Sequence, residues 1–168
     1  MTRLLAVLAV LIAGPAWSQT APVSPAAPAP APALPYGAPI TLERARALID
    51  HAVAASAARG FRMAITIVEP SGELVAFARM DDTQYGSIYL SQRKAETAAR
   101  YRRLTSSSQQ RITEGSLVGL ANADSMPMTG GVPIVIDGKI VGGMGVSGAA
   151  STDDEAIALQ AIAAVIRP

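Results

Sequence analysis

Side chains suited to acid–base, redox or metal chemistry are scarce in this sequence. Among its 168 residues there is one histidine, His51, and no cysteine. The lack of cysteine excludes disulfides, thiolate metal sites and a thiol nucleophile. With one histidine and no Gly-x-Ser-x-Gly motif, no serine-type catalytic triad is recognisable either. Catalysis of these classes has little support, so whether the protein is an enzyme stays open, with the balance against it.

Thioether sulfur is the other soft metal ligand available, and five methionines follow the initiator. Met63, Met80 and Met144 fall at alternating positions of predicted strands, which favours a place in the core. Met126 and Met128 flank a proline in a polar, irregular stretch. They are predicted either to form an apolar lip over a pocket or to pack within the loop.

Carboxylates offer oxygen ligands for iron or another cation. The candidates are Asp81, Asp82, Glu96, Asp153 and Asp154. Asp153 and Asp154 stand at the start of a predicted helix, where acids are more typical of capping and of interaction with the helix dipole. Glu96 precedes Arg100 by four residues, the spacing of an ion pair along a helix.

Glycines are dense near the C-terminus, at positions 142, 143, 145 and 148. They lie within and after the second strand of a predicted hairpin, not at a strand-to-helix turn, so a dinucleotide-binding loop is disfavoured. Glycine in a strand instead lets another backbone, a helix or a flat ligand approach the sheet closely.

The elements that position these residues follow from apolar periodicity and turn signals. A first helix is predicted from an N-cap at Thr41 to Gly60, followed by strands over residues 63–68 and 73–79. A second helix is predicted from a cap at Ser87 to Arg103. The serine run at residues 105–108 is predicted to break the pattern and begin an irregular stretch to residue 129, with a short helix near residues 112–120.

The last predicted elements are a hairpin and a closing helix. Strands over residues 132–136 and 139–146 flank Asp137-Gly138, which favours a tight primed turn. The closing helix opens at Thr152 or Asp153 and needs a surface for Ile157, Leu159, Ile162, Val165 and Ile166. The order predicts an α+β fold, an antiparallel sheet built from two hairpins and flanked by helices.

The N-terminus is typical of export. Arg3 precedes an apolar run over residues 4–13, and Ala16-Trp17-Ser18 offers a small-x-small cleavage site, so residues 1–18 are predicted to be a signal peptide. The run is too short for a permanent membrane span, and the lack of cysteine excludes a lipoprotein. Residues 19–39, rich in proline and alanine, are predicted to be a disordered tether before one domain at residues 40–168.

Charge gives little reason to expect nucleic acid as a partner. The chain has 14 basic and 13 acidic residues, and the two signs balance once Arg3 is removed with the signal peptide. Strong attraction to nucleic acid or to an anionic membrane is therefore not expected.

Several segments resemble one known family in the same order. They are residues 65–72, Arg79-Met80-Asp81, Lys94-Ala95-Glu96-Thr97-Ala98, Gly130-Gly131-Val132-Pro133 and residues 142–148. The chain from residue 40 to residue 164 resembles the GlcG/HbpS family, which includes the C-terminal domain of PduO-type proteins. The resemblance implies a profilin-like fold, assembly into dimers or larger rings, and haem as the cofactor.

The resemblance also suggests which residues would hold haem. Ligation from the first helix would make His51 the iron ligand, and the haem would then be either penta-coordinate or shared across an interface, with a second imidazole from another subunit. Lys94 and Thr97, one turn apart in the Lys-Ala-x-Thr-Ala motif, are candidates for a propionate or another carboxylate. Their alternative role is a polar pair that anchors the helix to the sheet. Met126, Met128, Gly130 and Gly131 complete the candidate site.

The resulting hypothesis is an exported haem-binding protein for haem sequestration, delivery or sensing in the cell envelope. It would be periplasmic or secreted, and an envelope protein that receives haem or a signal would be its partner. One alternative is a non-haem oligomeric scaffold or sensor of a small carboxylate, using Lys94, Thr97 and the Gly130-Gly131 turn. The third is a haem-degrading enzyme.

Overall fold

The computed structural model describes residues 33–166. Its elements are α1 (Leu42–Ala58), β1 (Ala64–Val68), β2 (Leu74–Arg79), α2 (Gly86–Tyr101), α3 (Thr105–Thr113), a 3-10 helix (Leu117–Ala121), β3 (Gly131–Ile136), β4 (Lys139–Ser147) and α4 (Ser151–Val165). The strands form one antiparallel sheet in the order β2-β1-β4-β3. The predicted α+β class, with two hairpins flanked by helices, is confirmed.

The sheet separates two layers of helix because successive side chains of a strand point to opposite faces. On β1, Ile65 and Ile67 pack with Leu48 of α1 and Ile157 of α4 in the main core. Thr66, between them, has its hydroxyl 2.8 Å from that of Ser91 on α2. Helices α1 and α4 therefore cover one face and α2 covers the other.

Two local predictions are confirmed by backbone geometry. Asp137 and Gly138 have φ angles of 50° and 71°, as a primed turn between β3 and β4 requires. The Thr41 hydroxyl accepts from the Arg44 amide at 3.4 Å and caps α1, and Gly60, with φ of 72°, follows the end of that helix.

The predicted ends of α2 and the predicted break after it are wrong. Helix α2 begins at Gly86, and Ser87 is no cap: it is buried and accepts from the Ser147 hydroxyl at 3.3 Å. The helix ends at Tyr101, because Arg102 is left-handed, with φ of 54°. The serine run forms the first turns of α3, since Thr105 and Ser108 turn inward.

The elements near the C-terminus also differ in detail. The short helix predicted near residues 112–120 is instead a 3-10 helix that begins at Leu117, after α3 has ended at Thr113. Helix α4 starts at Ser151, slightly before the predicted start. Leu159, predicted to face the core, is 45% exposed because only Ile157, Ala158 and Ala161 point fully inward at that point of the helix.

The predicted signal peptide and the tether up to residue 32 lie outside the described residues. The end of the predicted tether is not free of the domain, however. Ile140 of β4 donates to the carbonyl of Pro35 at 2.9 Å and accepts from Gly37 at 2.8 Å. Ordered contacts thus begin before residue 40. In residues 33–166, none of the helices combines the length and apolar character needed to cross a membrane.

Candidate functional site

The glycines of the second hairpin serve the packing of α2. Gly131, Gly143 and Gly145 point toward this helix, and a Cβ at any of them would collide with a backbone carbonyl, of Lys94, Ala95 or Ser91. Of the three partners that the sequence allowed, the structure shows a helix. A flat ligand has no room between α2 and the sheet.

Lys94 lies beside these glycines, in the closed interface between α2 and the sheet, and is 1% exposed. Its ammonium donates to Asp154 Oδ2 at 2.8 Å and to the Val146 carbonyl at 3.0 Å. Asp154, 2% exposed, also accepts from the Ala149 amide at 3.1 Å. This is the anchoring role that the sequence left open for Lys94, and it ties α2 to β4 and α4. The ammonium is closed to a ligand carboxylate.

Two opposing effects act on Asp154. Burial disfavours its charged form and raises the pKa of its carboxyl above the ordinary value, and this is the larger effect. Hydrogen bonds from Lys94 and from the amides of Ala149 and Gly148 lower that pKa and oppose it. These hydrogen bonds therefore offset part of the cost of burying the Asp154 carboxyl group.

Gly130 and Gly131 complete this closed region. Gly130 has a φ of 120°, and a Cβ there would lie 2.9 Å from Lys94 Nζ. The Gly131 amide donates to Thr105 Oγ1 at 2.8 Å. The turn thus covers the ion pair and presents no open surface.

Thr97 fastens a loop. Its hydroxyl donates to the Arg93 carbonyl at 2.7 Å and accepts from the Met126 amide at 2.8 Å. Met126 is half-buried, whereas Met128 is exposed. The structure therefore brings Thr97 and Met126 together, and Met128 is the methionine of this loop that a ligand can reach.

His51 is separated from all of these residues. It is exposed on α1, which packs against α4, β1 and β2 on the face opposite α2. Its imidazole is accessible, but it lies on the other side of the sheet from the Lys94 region. The two regions therefore cannot contact the same small ligand.

Comparison with known proteins agrees with this architecture. The family model described as "Haem degrading protein HbpS-like" matches residues 40–163. The chain belongs to the HbpS-like family. The GlcG protein of Escherichia coli K12 is 38% identical over 85 residues, which are 51% of this chain and 63% of GlcG.

Two solved structures support the same assignment. A double mutant of Streptomyces reticuli HbpS is 28% identical, with a TM-score of 0.72 and coverage of 84% of this chain and 99% of that one. A PduOC:heme complex is 26% identical, with a TM-score of 0.70 and coverage of 77% and 99%. The predicted resemblance to the GlcG/HbpS family is therefore confirmed.

The acidic candidates of this HbpS-like chain do not converge on a cation. Glu96 binds Arg93 at 2.7 Å and Arg100 at 3.8 Å, and Asp154 binds Lys94. The N-cap of α4 is Ala150, so Asp153, in the first turn, is placed for the expected interaction with the helix dipole but not at the capping position. Within residues 33–166, no group of three or more His, Cys, Asp or Glu side chains is placed to hold a metal ion.

One feature of this HbpS-like fold was missed in the sequence. A cleft of about 530 Å³ opens where α1, the start of β1 and the end of β2 meet, and Arg62, Arg79 and Met80 are among its lining residues. Finding it requires the register that sets Ala64 opposite Arg79. The only local signal was the Arg79-Met80-Asp81 segment.

Proposed function

We propose that this protein binds haem, with the iron held by His51, and serves haem sequestration, delivery or sensing in the cell envelope. Membership of the HbpS-like family supports haem as the ligand, as does the likeness to a PduOC:heme complex. The observation that carries the proposal is the exposure of the only imidazole in the sequence.

The surroundings of His51 fit a flat macrocycle. Ala47, Ala54 and Ala58 lie one or two turns away on the same side of α1, and none is buried. Alanine has no atom beyond Cβ, so a planar ring can approach the helix closely. When bound, haem iron supplies redox chemistry and a coordination site for small molecules.

A single helix covers only one side of such a ring. Because the chain has one histidine, any second imidazole ligand would come from another copy. A homo-oligomer with haem between subunits would cover the other side of the ring and supply such an imidazole. A two-fold contact is the simplest arrangement.

The proposed location in the cell envelope is based on the N-terminal sequence. Arg3, the apolar run and the small-x-small site support export, and export favours haem handling in the envelope over intracellular metabolism. An envelope protein that receives haem or a signal is the proposed partner.

Titration with hemin tests the proposal. The protein without residues 1–18 is expected to shift the Soret band with saturation at stoichiometric haem, and His51→Ala is expected to alter that spectrum and weaken binding about tenfold or more. Asp50→Ala, an exposed neighbour on α1, is the matched control. No Soret shift would refute haem binding, and an unchanged shift in His51→Ala would refute only the ligand assignment.

The description of the matched family favours a second candidate, haem degradation. Catalytic degradation would give steady biliverdin-like product with a reductant, insensitive to catalase. Loss of product on addition of catalase would instead indicate damage of bound haem by peroxide.

A further inference from the structure

The cleft of about 530 Å³ at the end of the sheet gathers two cations that the proposed function does not use. Arg62 lies in the connection before β1, and Arg79 ends β2. In the part of the chain that the structure describes, neither guanidinium forms an ion pair.

Neutral groups hold both arginines in place. Arg62 Nη1 donates to the Phe61 carbonyl at 3.2 Å. The Arg79 guanidinium lies 5.5 Å from the centre of the Tyr85 ring. These contacts orient the two side chains without neutralising them, so most of their N–H donors remain free.

The rest of the cleft is mixed in character. Val53 and Ala78 supply an aliphatic wall, and Met80 adds a polarizable thioether. Asp81 and Asp82 also line the cleft. Their charges repel an anion, so an anionic group must be held by direct hydrogen bonds from the two guanidinium groups, with its apolar remainder against the aliphatic wall.

We infer that Arg62 and Arg79 form a binding site for carboxylate groups in this cleft. A guanidinium offers parallel N–H donors that match the two oxygens of a carboxylate, and two such forks suit a ligand with two carboxylates. The Lys94 region cannot serve this chemistry, because its cation is already paired inside the fold.

Two sources can supply such carboxylates. One is a free small dicarboxylate, and the other is the pair of propionates on a tetrapyrrole. Only the second rests on the proposed haem binding. His51 does not line the cleft, so neither source requires iron ligation.

Iron-free porphyrin separates this inference from the proposed iron ligand. Protoporphyrin IX and its dimethyl ester are titrated by fluorescence, and succinate by calorimetry, against the protein lacking residues 1–18. If the propionates are the ligand, the ester binds at least about fivefold more weakly than the acid. If a free dicarboxylate is the ligand, succinate binds and the two porphyrins do not differ.

Variants then assign the binding to the cleft. Arg62→Gln and Arg79→Gln are each expected to weaken the binding of whichever carboxylate probe the protein takes, by about threefold to tenfold. Binding of the dimethyl ester should be unchanged in both variants. Arg46→Gln, an exposed arginine on α1 outside the cleft, should have no effect. Asp81→Asn should strengthen binding about twofold to fivefold by removing a repulsive charge.

The outcomes are distinct. Carboxylate binding that depends on the two arginines supports the site even where His51→Ala leaves the hemin spectrum unchanged. Equal affinity for acid and ester together with no binding of succinate would overturn it. Carboxylate binding that is equal in wild type and in both arginine variants would overturn it as well.

Discussion

Cations occur on both sides of the sheet, but they have different surroundings. On the α2 side, Lys94 is buried and bonded to Asp154 and to a carbonyl. Around the end of the sheet, Arg62 and Arg79 are exposed, and within residues 33–166 neither has an acidic partner. Charge type alone therefore does not mark a binding residue. A cation whose donors are consumed inside the fold stabilises it, and a cation that keeps them free is available to a ligand.

The largest expected effect on stability comes from breaking the buried pair. Asp154→Asn leaves the Lys94 ammonium buried without a counter-charge, and we expect a loss of about 3–5 kcal/mol in the free energy of unfolding. Urea denaturation at pH 7 measures it. Replacing both partners, Lys94→Met with Asp154→Leu, should restore most of that loss.

Substitutions of exposed residues near α1 and the end of the sheet should affect stability far less than Asp154→Asn. Arg79→Gln and His51→Ala should change the free energy of unfolding by less than about 0.5 kcal/mol. A loss below about 1 kcal/mol in Asp154→Asn, or a loss of several kcal/mol in either exposed variant, would remove the distinction between the two sides.

A smaller effect is expected from the glycines beneath α2. In Gly145→Ala the added methyl meets the Ser91 carbonyl, a backbone atom that can move only with the helix, and we expect a loss of about 1–3 kcal/mol. Thermal unfolding followed by circular dichroism measures it. Gly86→Ala is the control, because no atom lies within 4 Å of the added Cβ. Its stability should be unchanged or raised by up to about 1 kcal/mol.

Among the substitutions expected to destabilise the protein, the smallest effect is that of changing Thr97, which holds the loop. Thr97→Val keeps the shape but removes the acceptor for the Met126 amide, and we expect a loss of about 1 kcal/mol with faster hydrogen exchange at that amide. Thr113→Val is the control, since its hydroxyl bonds only within its own helix. Equal exchange rates at Met126 in both variants would show that the loop does not depend on Thr97.

Elements defined by neighbouring residues were predictable. The Thr41 cap and the Asp137-Gly138 turn each depend on a few consecutive residues, and the structure has them as expected. The predicted break at the serine run was wrong. Serine disfavours helix interiors in general, but here the start of α3 is stabilised by hydrogen bonds between Thr105 and Gly131, which are 26 residues apart.

The candidate site was less predictable because its decisive contacts are distant in sequence. Lys94 and Asp154 are 60 residues apart, and nothing local shows that they meet. One signal was available. Lys94 adjoins an alanine-rich stretch, and the small Ala95, Ala98 and Ala99 allow close packing on a glycine-rich strand. The cleft between Arg62 and Arg79 required the strand register and could not be read from either segment alone.

The attachment of Pro35 and Gly37 to β4 has a practical consequence for recombinant work. A truncated protein that begins at residue 40 would leave the backbone amide and carbonyl of Ile140 without these partners. It would also remove the Tyr36 ring, which lies 5.0 Å from the Arg102 guanidinium. An N-terminal boundary at residue 33 or earlier preserves these contacts. Proteins truncated closer to α1 should associate more readily with one another through the newly exposed backbone of β4.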